Sequence, residues 1–204
     1  MVLFLKKTIF FLFFQYVYLF VPYFDIELDI FSQKNVWKVQ SFLFLLIVLL
    51  FDKELFHSFK SISIKKVVTS SIGAFGVIYL FYQLFSYFYF GSLVSVQTYE
   101  MSFFFVLNTV VFAPLLEEMG NRFILIDTSS NKSTNFFFLI LTSLLFTLGH
   151  LGIRSNGNIF LYPIFFMGIV LGWVCIRQKN IWYSIFAHSF YNGMVLCLSL
   201  LMNS

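Results

Sequence analysis

The chain has 204 residues, of which 60% are hydrophobic, 23% aromatic and only 11% charged, with a net charge of +4. An ordinary soluble domain is roughly one-quarter charged, so this composition and a mean hydropathy of +0.89 exclude that class and leave an integral membrane protein. The lysines lie between apolar runs rather than on one basic patch, so they read as topology signals and give no support to a nucleic-acid partner.

A spanning helix needs about 20 mostly apolar residues. Seven segments qualify in chain order, over residues 8–24, 36–51, 67–90, 101–126, 136–152, 158–177 and 180–202. The expected fold is therefore all-α, a polytopic helical bundle of about seven transmembrane helices forming a single membrane domain over 1–204. The first run follows Lys6 and Lys7, as in a signal peptide, but it is long and ends in Val21-Pro22-Tyr23 without a small-x-small cleavage site. It is expected to stay as a membrane anchor.

If the segments alternate, Lys6/Lys7, then Lys53, Lys60, Lys65 and Lys66, then Lys132, then Arg177/Lys179 fall on one side. The other side receives Asp25, Glu27, Asp29, Lys34, Lys38, Glu100 and Arg154. The positive-inside rule then predicts a cytoplasmic N-terminus and an external C-terminus, in a bacterial plasma membrane.

The two halves differ. Residues 1–100 hold no ionisable group well inside an apolar run and are expected to be scaffold, with Phe and Tyr facing lipid or the interfaces. Residues 101–202 hold all the intramembrane polar groups and are expected to be the functional core. Cys175 and Cys197 have no CxxC spacing and read as small buried hydrophobes.

In the fourth segment, Glu117-Glu118-Met119-Gly120-Asn121-Arg122 follows VLNTVVFAPLL and precedes FILI. Three ionisable groups in so apolar a run cost several kcal/mol unless they face a protein interior, pair, or do chemistry. Glu118 and Arg122 are i and i+4 and share a face. Glu117 lies about 100° round the helix, so Glu118 is expected to be the structural partner of Arg122 while Glu117 points into a cavity. Pro114, one turn earlier, removes a backbone hydrogen bond and is expected to kink the helix there. A charge network that only fixes helix packing is the competing reading.

The fifth segment ends in Phe146-Thr147-Leu148-Gly149-His150, with Phe146 and His150 on one face. An interfacial histidine would look the same. The seventh contains His188-Ser189-Phe190-Tyr191-Asn192, where His188 and Asn192 stack one turn apart and could equally be an interhelical hydrogen-bonding pair. Gly168 and Gly172 form a GxxxG stripe suited to close helix packing. His57 falls in a lysine-rich connection and is expected to be solvated. At 1.5 Å per residue, Glu117 and His188 each come about 10–15 Å from the cytoplasmic ends of their helices and can meet at one level, whereas His150 comes out at about 20 Å.

Taken together, a carboxylate, two imidazoles and an amide drawn from three apolar helices can hydrolyse an amide. A carboxylate takes a proton from water, imidazole orients that water or protonates the leaving amine, and Asn or His donates to the oxyanion.

At these residues the sequence resembles the CAAX-protease and bacteriocin-processing family of intramembrane proteases, whose pattern is EExxxR, then FxxxH, then HxxxN or HxxxD. The matches are Glu117-Glu118…Arg122, Phe146…His150 and His188…Asn192, within roughly residues 101–195. Many members carry an aromatic residue just before the arginine and glycine just after it, where this chain has Asn121 and Phe123.

The resemblance implies an intramembrane endopeptidase acting on a membrane-associated, prenylated or lipid-anchored peptide. By it Glu117 activates water with help from His150, His188 and Asn192 hold the oxyanion, and Glu118, Arg122 and Phe146 support them. It also implies a possible zinc set of Glu117, His150 and His188. No His-Glu-x-x-His helix is present, and the same residues suffice without metal, so the reading leans against a bound ion while leaving zinc open. The alternative implied by the same scaffold is a non-catalytic bacteriocin-immunity or peptide-binding membrane protein. A proton-relaying transporter is a third reading, which no paired half-repeats support.

Overall fold

The computed structural model describes residues 2–15, 36–93, 101–126, 131–150 and 161–203. These form helices α1 (Val2–Gln15), α2 (Val36–Lys60), α3 (Ile64–Phe90), α4 (Phe103–Phe123), α5 (Lys132–Leu148), α6 (Leu161–Gln178) and α7 (Ile181–Asn203). No strand occurs among the described residues.

Four helical stretches, Ile64–Phe90, Phe103–Phe123, Leu161–Gln178 and Ile181–Leu201, are long and apolar enough to cross a membrane. Phe42–Phe51 and Lys132–Leu148 are shorter apolar helices. Length and composition thus bear out four of the seven expected spans, and much of the expected 8–24 segment lies outside the described residues. The expected second span, 36–51, ends where Phe51 leaves helical geometry at φ −130°, but the helix resumes and runs to Lys60. The fifth helix starts four residues earlier than its apolar run because the Asn131 side chain accepts from the Thr134 N–H and caps a polar first turn.

α4 is not a uniform α-helix. Two π-helical stretches, Asn108–Phe112 and Met119–Phe123, bracket the α-helical turns Ala113–Glu118 that carry the acidic pair. The helix widens in the turn just before Pro114, the residue that cannot donate a hydrogen bond.

α2 and α4 run parallel, since Phe44 meets Phe112 at 5.7 Å and Phe51 meets Phe123 at 5.4 Å between ring centroids. Phe10 and Phe14 of α1 join Phe51, Leu116 and Met119 in one buried apolar cluster. A second cluster ties Ala74 and Ile78 of α3 to Phe146, Leu171 and Ala187. The turn between α6 and α7 is held by Lys179 at φ 54° and by Asn180, whose side chain accepts from the Trp182 N–H and donates to the Ser58 carbonyl.

At the same end Trp182 Nε1 donates to the Leu55 carbonyl at 3.1 Å, and Lys7 Nζ donates to the Phe123 carbonyl at 3.0 Å. Lys53, Lys60, Lys65, Lys66, Arg177 and Lys179 are exposed around this end, as is His57, as alternating helices require.

Candidate active site

Glu118 and Arg122 are fully buried. They form an ion pair one turn apart on α4. A buried pair is tolerable only when its remaining valences are largely filled, and here only Arg122 Nε has no hydrogen-bond partner among the described residues. Arg122 Nη2 donates to the Gly168 carbonyl at 3.1 Å, its guanidinium lies 5.1 Å from the centroid of the Phe146 ring, and Glu118 also receives the Ser184 hydroxyl and His188 Nδ1, the latter at 3.0 Å.

The glycine stripe on α6 makes this possible. A side chain at Gly168 would come within 3.0 Å of Ser143 Cα, and one at Gly172 within 2.6 Å of Leu139 and 3.5 Å of Arg122 Nε. The stripe therefore lets α5 close on α6 and leaves the guanidinium a bare backbone carbonyl to bond.

Glu117 differs from its neighbour. It has no bond to Arg122 among the described contacts, its side chain keeps 15% exposure against 0% for Glu118, and its carboxylate stands 3.9 Å from His188 Nε2. A water about 2.8 Å from both atoms would subtend an angle near 90°, so the separation is one that a single water can bridge. The backbone carrying Glu117 is held as well, because Asn121 Nδ2 donates to the Glu117 carbonyl at 2.9 Å.

His188 thus lies between two carboxylates. A carboxylate accepts, so the bond to Glu118 is made by Nδ1–H, and Nε2 is the atom presented to Glu117. Phe146 gathers the remaining groups: its ring lies 5.8 Å from that of His188 and 4.8 Å from that of His150.

At the end of α5 the His150 N–H bonds Thr147 rather than Phe146. The released Phe146 carbonyl takes the His150 side chain instead, with Nδ1 at 2.7 Å. A carbonyl can only accept, so Nδ1 is the protonated nitrogen and Nε2 carries the lone pair.

Asn192 is one turn beyond His188, and its Nδ2 donates to the Thr109 carbonyl at 2.9 Å. The structure therefore brings Glu117, Glu118, Arg122, Phe146 and His188 into direct contact, attaches His150 through Phe146, and attaches Asn192 through the backbone of α4.

The suggested zinc set does not gather as ligands. No three His, Cys, Asp or Glu side chains among the described residues are grouped to hold an ion. No step is derived through a metal.

Sequence reasoning missed Ser184. It lies four residues before His188, so Ser184, His188 and Asn192 make one polar stripe at i, i+4, i+8, a signal legible in the sequence. The Gly168 carbonyl had no comparable signal.

The family model described as Rce1-like, type II CAAX prenyl endopeptidase, matches residues 98–194. Over this stretch the chain is similar to the CAAX-protease family. No curated protein and no solved structure matches the chain.

The matched segment includes every site residue named above and leaves α1, α2 and α3 outside it. The two departures from the family pattern sit where the site is braced. Asn121 holds the Glu117 carbonyl, and the Phe123 ring packs edge-on against Phe51 of α2 with the Lys7 ammonium of α1 4.1 Å from its centroid. Gly120 matters here, since any side chain on it would meet the Phe14 ring of α1.

Proposed function

We propose that this membrane protein is an intramembrane endopeptidase in which Glu117 activates water against a peptide bond of a prenylated or otherwise lipid-anchored peptide. The observation that carries this reading is the asymmetry of the acidic pair. Glu118 has its valences filled by Arg122, Ser184 and His188, whereas Glu117 keeps an opening and faces His188 Nε2 across 3.9 Å.

In the proposed cycle the Glu117 carboxylate takes a proton from the water that attacks the substrate carbonyl. His150, with its lone pair on Nε2, orients that water. His188 as the imidazolium, with Nδ1–H tied to Glu118 and Nε2–H directed to the substrate, and the Nδ2 proton of Asn192 not used on Thr109 donate to the oxyanion. Glu117 then delivers its proton to the departing amine. Glu118, Arg122 and Phe146 act on the reaction only by holding His188 and the α4 backbone. Residues 1–100 serve as scaffold to a core over 101–202, and the lysine-bearing end of the bundle, with the N-terminus, faces the cytoplasm of a bacterial cell.

The test is Glu117→Gln, purified and reconstituted in vesicles with a fluorogenic prenylated peptide. Turnover is expected to fall by a factor of about 10²–10⁴ while the melting temperature holds. Unchanged turnover in the folded variant would remove Glu117 from the chemistry.

A further inference from the structure

The Asn192 amide is fixed by a defect in the helix opposite it. In the π-helical stretch of α4 the Ala113 N–H bonds the Asn108 carbonyl, five residues back. The next carbonyl is that of Thr109. Its donor four residues on, Ala113, is already committed, and its donor five residues on is Pro114, which has no N–H. A backbone carbonyl left open inside a membrane protein is costly because no lipid group can satisfy it, and the atom that fills the vacancy is Asn192 Nδ2, 2.9 Å away on α7.

We propose that Pro114 is a positioning residue for Asn192: by withholding a backbone N–H it reserves the Thr109 carbonyl for the side-chain amide, fixing that amide's orientation and leaving its second Nδ2 proton for the substrate. A carbonyl accepts only from the NH₂ side of an asparagine, so the bond decides which end of the amide faces α4 as well as where the amide sits. His188, one turn earlier on the same face, is fixed separately through Glu118. The two donors assigned to the oxyanion are therefore aimed by two different devices on one helix, a buried carboxylate and a proline-made carbonyl vacancy. What the second proton does rests on the endopeptidase reading; the clamp does not.

The experiment is a double-mutant cycle with Pro114→Ala and Asn192→Leu on the full chain in detergent and in vesicles. Asn192→Leu in the parent strands the Thr109 carbonyl and is expected to lower the melting temperature by about 3–6 °C. In the Pro114→Ala background the restored N–H can take that carbonyl, and the same substitution is expected to cost less than half as much. With a fluorogenic prenylated peptide, Pro114→Ala is expected to lower kcat by about tenfold with KM within twofold, and Asn192→Leu to add little further loss, because a donor that has lost its aim contributes little.

Equal melting losses in both backgrounds would overturn the clamp, as would failure of Pro114→Ala to fold, since that variant supplies the missing donor. Parent-like kcat in Pro114→Ala would overturn its positioning role. A parent that cleaves no peptide would sink the endopeptidase reading and leave the melting cycle to decide the clamp by itself.

Discussion

α3 and α4 have almost the same mean hydropathy, 1.5 and 1.4, yet they bury opposite kinds of residue. α3 turns Ile72, Leu80 and Phe88 outward and buries a narrow line of Ser71, Ala74, Ile78 and Ser86. α4 buries Glu118, Asn121 and Arg122, three of its most polar groups. In a bilayer the outside is as apolar as the inside, so the hydrophobic effect does not sort residues between the two. Small residues enter because they let helices approach, and charged ones enter because only the protein can satisfy them. The lesson is that small and charged residues are drawn to the interior of this chain, while large apolar side chains stand on both sides, Phe10, Phe14 and Phe51 inside and Phe88 outside.

That contrast can be broken in several places, and the largest effect is expected in the network of α4. Arg122→Ala leaves Glu118 buried without its cation and should cost about 3–5 kcal/mol, read as loss of folded protein or a collapsed melting temperature in detergent. A near-parent melt would mean that the ion pair is not what holds α4 to α6.

Gly168→Ala tests the smallness rule. The new Cβ would lie 3.0 Å from Ser143, and the overpacking should cost about 1–3 kcal/mol. It should also lower turnover, because the carbonyl that Arg122 bonds moves with α6. A stabilised variant would show that α5 and α6 have slack.

Lys7→Met probes whether the N-terminal scaffold braces the site. Loss of the bond to the Phe123 carbonyl should cost about 1.5 kcal/mol, with turnover changed less than stability; a large fall in turnover at unchanged melting temperature would put α1 inside the catalytic machinery. Smallest of all is Leu49→Ala at a position 76% exposed, expected within about 0.5 kcal/mol of the parent. A larger loss there would reveal a protein partner on what is read as a lipid face.

Much of the site was legible in the chain because helical spacing is local. Glu118 with Arg122, Phe146 with His150 and His188 with Asn192 are each four residues apart, and a helix puts such pairs on one face whatever surrounds it. The unequal surroundings of the two glutamates followed from the same geometry. Ser184 obeyed that rule too and was overlooked because a single serine in an apolar helix is commonplace. The boundaries of α5 were misjudged for a local reason as well: the Asn131 cap begins the helix in polar residues that hydropathy discards.

By itself, then, the sequence determined that this is an all-helical membrane protein and which of its polar groups share a helix face. All of this follows from composition and from a period of 3.6 residues. Only the tertiary structure decided that His188 stands between both carboxylates, that the His150 ring folds back on the Phe146 carbonyl, and that the Asn192 amide bonds the Thr109 carbonyl on another helix. Those contacts join residues on separate helices through backbone carbonyls that every residue possesses, and no side-chain pattern announces which carbonyl will be left without a donor.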